Sequence, residues 1–211
     1  MTLRRLAAGD GAPVEATVAL ALADRAKRRG PLSARILRAM LRVNVPGVTE
    51  RREATMNDDG VPTLFAWAGG MPALERLTFA FYERVRSHDV LGPIFARMDA
   101  HHPHFVAQFL AEVLGGPDAY SRERGGHLHM ITQHLRRHLT DAQRQAWMSL
   151  LLQTADDVGL PSDPEFRSAL VAYLEWGTRL AVINSQDGAA VDADAPMPKW
   201  GWGVPGGPYQ P

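Results

Sequence analysis

Apolar residues recur at helical spacing through the central part of the chain, from Val61 onward. Pro72 stands where a first helical turn tolerates proline, and an apolar stripe with spacings of three and four residues follows it. The stripe comprises Met71, Leu74, Leu77, Phe81 and Val85. The paired apolar residues of FVAQFLAEVL, residues 105–114, predict a second helix that ends at Gly115-Gly116-Pro117.

Two further helices are indicated by their N-terminal caps. Thr140 and Gln143 have the spacing of a capping box, and the helix that they begin carries Trp147 on its apolar face. Asp163-Pro164-Glu165 combines a cap, a first-turn proline and an acid near the positive helix end. Because no alternating strand pattern and no repeat accompanies these segments, the sequence predicts an all-α domain of about 125 residues.

Composition narrows the possible chemistry. The chain has 211 residues, of which 45% are hydrophobic, enough for one domain-sized core. The absence of cysteine excludes disulfides, a thiolate nucleophile, an iron–sulfur cluster and a cysteine-ligated zinc site. No apolar run is long enough for a membrane span, and the first residues do not resemble a secretory signal. We therefore expect a cytoplasmic protein.

The net charge of zero hides an uneven distribution. Residues 1–55 carry 11 Lys+Arg against 5 Asp+Glu, whereas the remainder carries 12 against 18. A basic arm with the amphipathic stretch 32–43 could bind nucleic acid or anionic lipid. We favour a loosely ordered or helical extension without chemistry of its own, and Met56 is an alternative start of the biological chain. The predicted organisation is a basic extension over 1–55, the helical domain over 56–184 and a tail over 185–211.

The tail has a different composition from the domain. Five prolines and four glycines between residues 196 and 211 exclude regular structure. Trp200, Trp202 and Tyr209 would be poorly accommodated in a freely solvated linker. We expect the tail to lie along the domain surface with these aromatic residues docked, and a disordered tail is the alternative.

All eight histidines fall between His88 and His138, and four of them lie in GGHLHMITQHLRRHL, residues 125–139. On a helix His134 and His138 would share a face and could chelate zinc. Arg136 and Arg137 between them disfavour a divalent cation and suit anionic groups. Residue chemistry alone therefore selects no histidine as a ligand.

An ordered series of motifs from about Thr63 to Asn184 resembles the truncated haemoglobins of the second group. The series is FAWAGG at 65–70, FYERVRSHDVLGPIF at 81–95, HHPHFVAQFLAEVLGGP at 101–117, YSRERGGHLHMITQHL at 120–135 and TDAQRQAW at 140–147. The resemblance implies a truncated globin two-over-two helical sandwich that binds haem b.

The resemblance also implies site residues. His134 takes the position of the proximal histidine, the iron ligand, which needs a neutral ring nitrogen and an acceptor for its other N–H. The neighbouring cationic residues Arg136, Arg137 and His138 become candidates for the haem propionates. His127 and His129 receive no role at the iron.

On the distal side, the resemblance places the Tyr82 hydroxyl and the Trp147 indole as donors to a bound ligand. Phe95 would pack against the porphyrin, where many members of the group carry a tyrosine. His102 takes the gate position, and Val106 lies one turn further along the same helix. Donors of this kind stabilise the partial negative charge of dioxygen.

The expected function is oxygen binding and oxygen transport at a His-ligated haem iron, with dioxygen, NO and CO as ligands. The alternative is a haem enzyme that detoxifies NO or peroxide with a partner reductase, because the sequence shows no flavin or nicotinamide site. A haem-free helical module that binds a protein partner is a third hypothesis. We expect no nucleic-acid partner, no membrane span, and a monomer or homodimer.

Overall fold

The computed structural model describes residues 56, 57 and 60–203, so the predicted basic extension over 1–55 lies outside the described residues. The described part is helical, and its one β-pairing is an isolated bridge between Met56 and Pro62. None of its helices is long and apolar enough to cross a membrane. The prediction of an all-α domain is confirmed.

Four of the helices are long enough to form the body of the domain. They are α2 (Gly70–Arg86), α4 (His102–Val113), α7 (Asp141–Asp157) and α8 (Pro164–Asn184). Short helices connect them, namely α1 (Leu64–Trp67), α3 (Gly92–Phe95), α5 (Ala119–Arg124) and α6 (Gly126–Thr132). Helix α2 packs against α4, α7 packs against α8, and α2 and α7 join the two pairs.

The core follows from the apolar periodicity. Leu74, Leu77, Phe81 and Val85 are all buried on the inner face of α2, whereas Met71 is only half-buried. A spacing of three and four residues keeps side chains on one side of a helix with 3.6 residues per turn. Phe81, which is fully buried, lies at the point where α2 meets α7, since its ring centroid is 5.1 Å from that of Trp147.

The predicted helix ends are also present. Thr140 and Gln143 form the reciprocal capping box at the start of α7. The Asp163 carboxylate accepts a hydrogen bond from the Phe166 backbone N–H at the start of α8 and a second one from the Trp67 indole, at 2.9 Å. This residue therefore caps one helix and ties it to another.

Close packing against neighbouring atoms explains why two glycines follow α4. A Cβ atom on Gly116 would lie 2.7 Å from the Ala111 carbonyl oxygen and 2.8 Å from Phe65 Cγ. Gly115 has φ +88°, a conformation that side chains other than glycine rarely adopt. The pair thus ends α4 and lets α1 pack directly against its last turn.

The first part of the tail is docked on the domain, as expected for Trp200 and Trp202; Tyr209 lies outside the described residues. Trp202 is 6% exposed, and its indole N–H donates to the Pro62 carbonyl at 2.8 Å. The backbone N–H of Trp200 donates to the Val113 carbonyl at 2.8 Å. The tail therefore contributes to the packing of the domain.

Candidate functional site

His134 lies just beyond the end of α6, in a segment that leads to α7. Its Nδ1 is 2.9 Å from the Met130 carbonyl oxygen, an acceptor to which the Nδ1–H donates. This contact leaves the lone pair on Nε2 free. Burial lowers the pKa of the His134 ring; the Met130 carbonyl opposes this change and the Arg137 charge adds to it. A neutral ring with a free Nε2 is what a metal requires of histidine.

Tyr82 and His102 form a polar pair inside an otherwise apolar region. The Tyr82 hydroxyl is 3.1 Å from Nε2 of His102, and Tyr82 is only 3% exposed. Burial raises the pKa of Tyr82 well above its usual range, and the Trp147 side chain offsets part of that rise. The phenol therefore keeps its proton and remains a donor at neutral pH.

An aromatic frame holds this pair in place. The Tyr82 ring is in edge contact with Phe81, Phe95 and His102, at centroid distances of 4.8, 5.4 and 4.8 Å. Phe95 ends α3 and also lies 6.0 Å from the His102 ring. Such edge-to-face contacts restrict ring rotation. The predicted site residues from α2, α3, α4 and α7 are thus brought together.

The charges of the segment after α6 also act on His102. Burial is the main cause that lowers its pKa, and the charges of His134 and Arg137 add to this effect against an opposing effect of Asp99, which together bring the pKa to about 4. His102 is therefore neutral at pH 7.

The other predicted residues lie around this centre. Val106 is half-buried against the core, one turn after His102 on α4. Arg136 and Arg137 are both exposed, and the Nε–H of Arg137 donates to the Gln133 carbonyl. His138 is exposed and has its Nε2 3.6 Å from Asp187 Oδ1, beyond the end of α8.

The segment from His134 to His138 is not helical, so these two histidines do not share a helix face. Helix α6 ends at Thr132, and Arg136 and His138 adopt positive φ angles of 57° and 51°. The premise of the zinc alternative, a helix through both histidines, is therefore wrong. Within the described residues, no group of three or more His, Cys, Asp or Glu side chains could hold a metal.

Comparison with known proteins identifies the family. The model of the bacterial-like globins matches residues 63–177. Group 2 truncated hemoglobin YjbI of Bacillus subtilis is 37% identical over 117 residues, which cover 56% of this chain and 86% of that protein. The chain belongs to the bacterial-like globins and, within them, to the group II truncated haemoglobins.

Solved structures agree with this assignment. The group II truncated haemoglobin of Bacillus anthracis is 29% identical, with a TM-score of 0.53 over 61% of this globin and 97% of that chain. The truncated oxygen-avid haemoglobin of Bacillus subtilis is 34% identical, with a TM-score of 0.51 over 57% of this globin and 98% of that chain. The two packed helix pairs are therefore the predicted two-over-two sandwich.

The globin family implies a haem iron as cofactor, and the described residues fit one. His134 offers a single neutral nitrogen, so a group that binds there must supply the other metal ligands itself, as a porphyrin does. Met130 lines a small cavity together with His134, and Phe95 lies beside Tyr82 and His102. Met130, Phe95 and Val106 of α4 are apolar side chains that are only half-buried although they contact the core. Such surfaces match the apolar faces of a porphyrin.

Two features of the site were not predicted from sequence. The direct bond between Tyr82 and His102 joins residues that are 20 positions apart. The second is Met130, whose carbonyl orients His134. A helical turn brings a carbonyl within reach of a side chain four residues later, so the Met130–His134 spacing was an available signal; the Tyr82–His102 bond depends on tertiary packing.

Proposed function

We propose that this globin binds dioxygen reversibly at a haem b whose iron is held by His134. The observation that carries the proposal is the Nδ1 bond of His134 to the Met130 carbonyl at 2.9 Å, which leaves Nε2 free. The chain has no cysteine, so covalent attachment of haem through thioethers is excluded. A non-covalently held haem b is the form that agrees with this composition.

When bound, the haem iron would coordinate a diatomic ligand. The side chains of the protein would surround that ligand and donate hydrogen bonds to it. Tyr82 keeps its proton because it is buried, so its hydroxyl can donate to the negative end of a polarised ligand. The Trp147 indole N–H, which already acts on the Tyr82 hydroxyl, is a second donor. NO and CO have the same size as dioxygen and fit the same space.

His102 has a positioning role in this proposal. Its neutral ring contacts both Tyr82 and Phe95, and its Nε2 holds the Tyr82 hydroxyl at 3.1 Å. A ring with a pKa of about 4 stays uncharged across the physiological range. His102 therefore fixes the direction of the phenol without adding a charge to the pocket.

The propionates would be held by the arginines after His134. Arg137 is the stronger candidate because its charge acts on both His102 and His134. The guanidinium of Arg136 is exposed and has no ion-pair partner among residues 60–203. His138 is directed to Asp187 and would have to leave that carboxylate. Guanidinium pairs well with carboxylate.

The description of the Bacillus subtilis relative as oxygen-avid supports the proposal. The test is an absorption spectrum of the purified full chain, followed by an oxygen titration of its ferrous form. We expect a Soret band and a spectral change that reverses when oxygen is removed. A colourless chain that takes up no added haem would contradict the proposal, and so would a ferrous form that does not respond to oxygen.

A further inference from the structure

The C-terminal end of α8 contacts the chain segment that follows His134. The backbone carbonyl of Ser185, the C-cap residue of α8, accepts from the His138 backbone N–H at 3.0 Å. The Ser185 hydroxyl oxygen accepts from the Leu139 backbone N–H at 2.9 Å. The side-chain amide of Gln186 donates to the Leu139 carbonyl at 3.0 Å. Three hydrogen bonds therefore join the end of α8 to the segment after His134.

The Ser185 hydroxyl is fixed in its direction. Ser185 is fully buried, and a buried hydroxyl costs stability unless it is hydrogen-bonded. It donates to the Val182 carbonyl at 2.7 Å, and it accepts from the Leu139 N–H and from the Gln186 side chain at 2.9 Å. Since a hydroxyl has one donor and two lone pairs, all of its bonding capacity is in use. The Leu139 amide is therefore held by a group that α8 itself orients.

The segment between His134 and α7 has a backbone conformation that its own residues do not favour. Arg136 and His138 have φ angles of 57° and 51°, in the left-handed region. Residues with a Cβ atom are uncommon in this region, and such conformations persist where surrounding contacts impose them. The bonds from Ser185 and Gln186 act at His138 and at the residue after it. They therefore oppose relaxation of the segment.

A short turn connects this segment to His134. The Arg137 backbone N–H donates to the His134 carbonyl at 3.2 Å, so the turn ends where the contacts with α8 begin. The His134 ring is held from the other side by the Met130 carbonyl of α6. Ala181 and Asn184, in the last turn of α8, line the same small cavity of about 20 Å³ as His134. His134 thus lies between two fixed points, α6 and the end of α8.

We propose that Ser185 is a positioning residue for the proximal histidine, and that the end of α8 sets the direction of Nε2 of His134. This inference rests on the proposed function, because it concerns the histidine that would hold the haem iron. Ser185 lies beyond residue 177, where the family match ends, so the family alone assigns it no role. Loss of its hydroxyl would let the left-handed residues relax and would leave Nε2 less firmly directed.

Hydrogen exchange of the full chain as purified, measured by mass spectrometry over residues 134–140, tests the contact itself. Ser185→Ala removes the acceptor of the Leu139 N–H and should accelerate exchange there roughly two- to tenfold, the effect of one net hydrogen bond. Thr178→Ala is the matched control, because its hydroxyl donates to the Leu174 carbonyl of the same helix. It should leave exchange in this segment at the wild-type rate.

The iron–histidine stretching band in the resonance Raman spectrum of the ferrous, ligand-free protein tests the positioning role. In Ser185→Ala we expect this band to shift or broaden, and haem transfer to an excess of an acceptor apoglobin to become roughly two- to tenfold faster. Thr178→Ala should keep the wild-type band and transfer rate. Gln186→Leu, at an exposed position, removes the bond to the Leu139 carbonyl and should change exchange, band and transfer rate in the same direction. It replaces Ser185→Ala if that variant does not fold.

The exchange measurement needs no iron, so failure of this inference is distinguishable from failure of the proposed function. A chain that takes up no haem overturns the proposed function. A haem-loaded Ser185→Ala, or Gln186→Leu in its place, with wild-type exchange over residues 134–140 overturns the positioning role alone. Accelerated exchange with an unchanged iron–histidine band also overturns it, because the contact would then not reach His134.

Discussion

At the scale of single residues, the proposed oxygen site has two distal donors that should set how long dioxygen stays bound. Tyr82 lies on α2 and Trp147 on α7, so they approach the pocket from different helices. A hydrogen bond to a partly charged acceptor contributes about 1.5–3 kcal/mol, and about 1.4 kcal/mol corresponds to tenfold in a rate. Loss of either donor should therefore have a measurable effect on that rate.

We expect Tyr82→Phe and Trp147→Phe each to raise the oxygen dissociation rate roughly ten- to a hundredfold, if the lost bond is fully expressed in the barrier. Stopped-flow mixing, which follows the release of oxygen, measures this rate. Carbon monoxide is less polar and should respond less. The double variant should be non-additive, because both donors share one acceptor. Rates within about twofold of wild type in both single variants, less than the weakest such bond would give, would contradict the distal assignment.

His102 gives the haem-free chain a pH dependence of stability. Its pKa falls from 6.5 to about 4 on folding. Between these values the unfolded chain binds more protons than the folded chain, so stability is full above pH 6.5 and decreases as the pH falls toward 4. After allowance for partial exposure, we expect His102 to account for a loss of roughly 1–3 kcal/mol.

Urea unfolding at pH 7 and near pH 4.5 tests this prediction. His102→Phe should reduce the difference in unfolding free energy between the two pH values. His101→Phe alters the exposed neighbouring histidine and should retain the wild-type difference. Part of the difference remains in His102→Phe because the pKa of His134 is also lowered by burial. If both variants keep the full wild-type difference, His102 is not the titrating group.

At the scale of helices, Asp163 links two elements through one carboxylate. It caps α8 at the Phe166 N–H and accepts from the Trp67 indole of α1. Loss of an N-cap costs about 1 kcal/mol, and an unpaired indole N–H adds about 1–3 kcal/mol if it stays buried. Asp163→Ala should therefore destabilise the fold by about 2 kcal/mol or more.

Thr140→Ala provides the comparison, because it removes a cap that makes no such link and should cost about 1 kcal/mol. Asp163→Asn keeps an acceptor oxygen and should lose less than Asp163→Ala. Chemical denaturation of the three variants measures the differences. Equal stability of Asp163→Ala and Thr140→Ala would show that the bond to Trp67 contributes nothing.

The helices were predictable where one local rule decides the structure. The α2 stripe, the capping box of α7 and the Asp163 cap depend on residues within one or two turns, and all are present. The end of α6 was harder to predict. The residues between His134 and His138 are compatible with a helix, yet the His138 backbone N–H donates to the Ser185 carbonyl, a tertiary contact with the C-terminal cap of α8.

In the candidate site, too, local sequence was informative and tertiary contacts were not predictable. Its residues could be named from the resemblance, because the order of motifs fixes their positions in a known fold. Their contacts could not be read from the sequence, since Tyr82, Phe95 and His102 meet only when α2, α3 and α4 pack together. A pocket between α6, α8 and the tail could not be predicted either, because part of its lining comes from residues 190–200, after the helical pattern has ended.

At the scale of the whole molecule, the described part of the tail, residues 185–203, packs on the domain. Trp202 is 6% exposed, packs edge-on against Trp67 at 5.7 Å and donates to the Pro62 carbonyl. Replacing a buried tryptophan by alanine costs about 3–5 kcal/mol. Trp202→Ala should lower the unfolding free energy by about 3 kcal/mol, and Trp202→Phe by less. A loss below about 1 kcal/mol for Trp202→Ala would show that the tail contributes little to packing.

The central claim is that His134 is the only protein ligand essential for the haem iron. The most direct measurement is the absorption spectrum and haem affinity of His134→Ala, beside His127→Ala and His129→Ala as controls from the same segment. We predict that His134→Ala loses stable haem binding, that added imidazole restores a Soret band, and that both controls keep the wild-type spectrum. Wild-type haem affinity and coordination in His134→Ala would contradict the account.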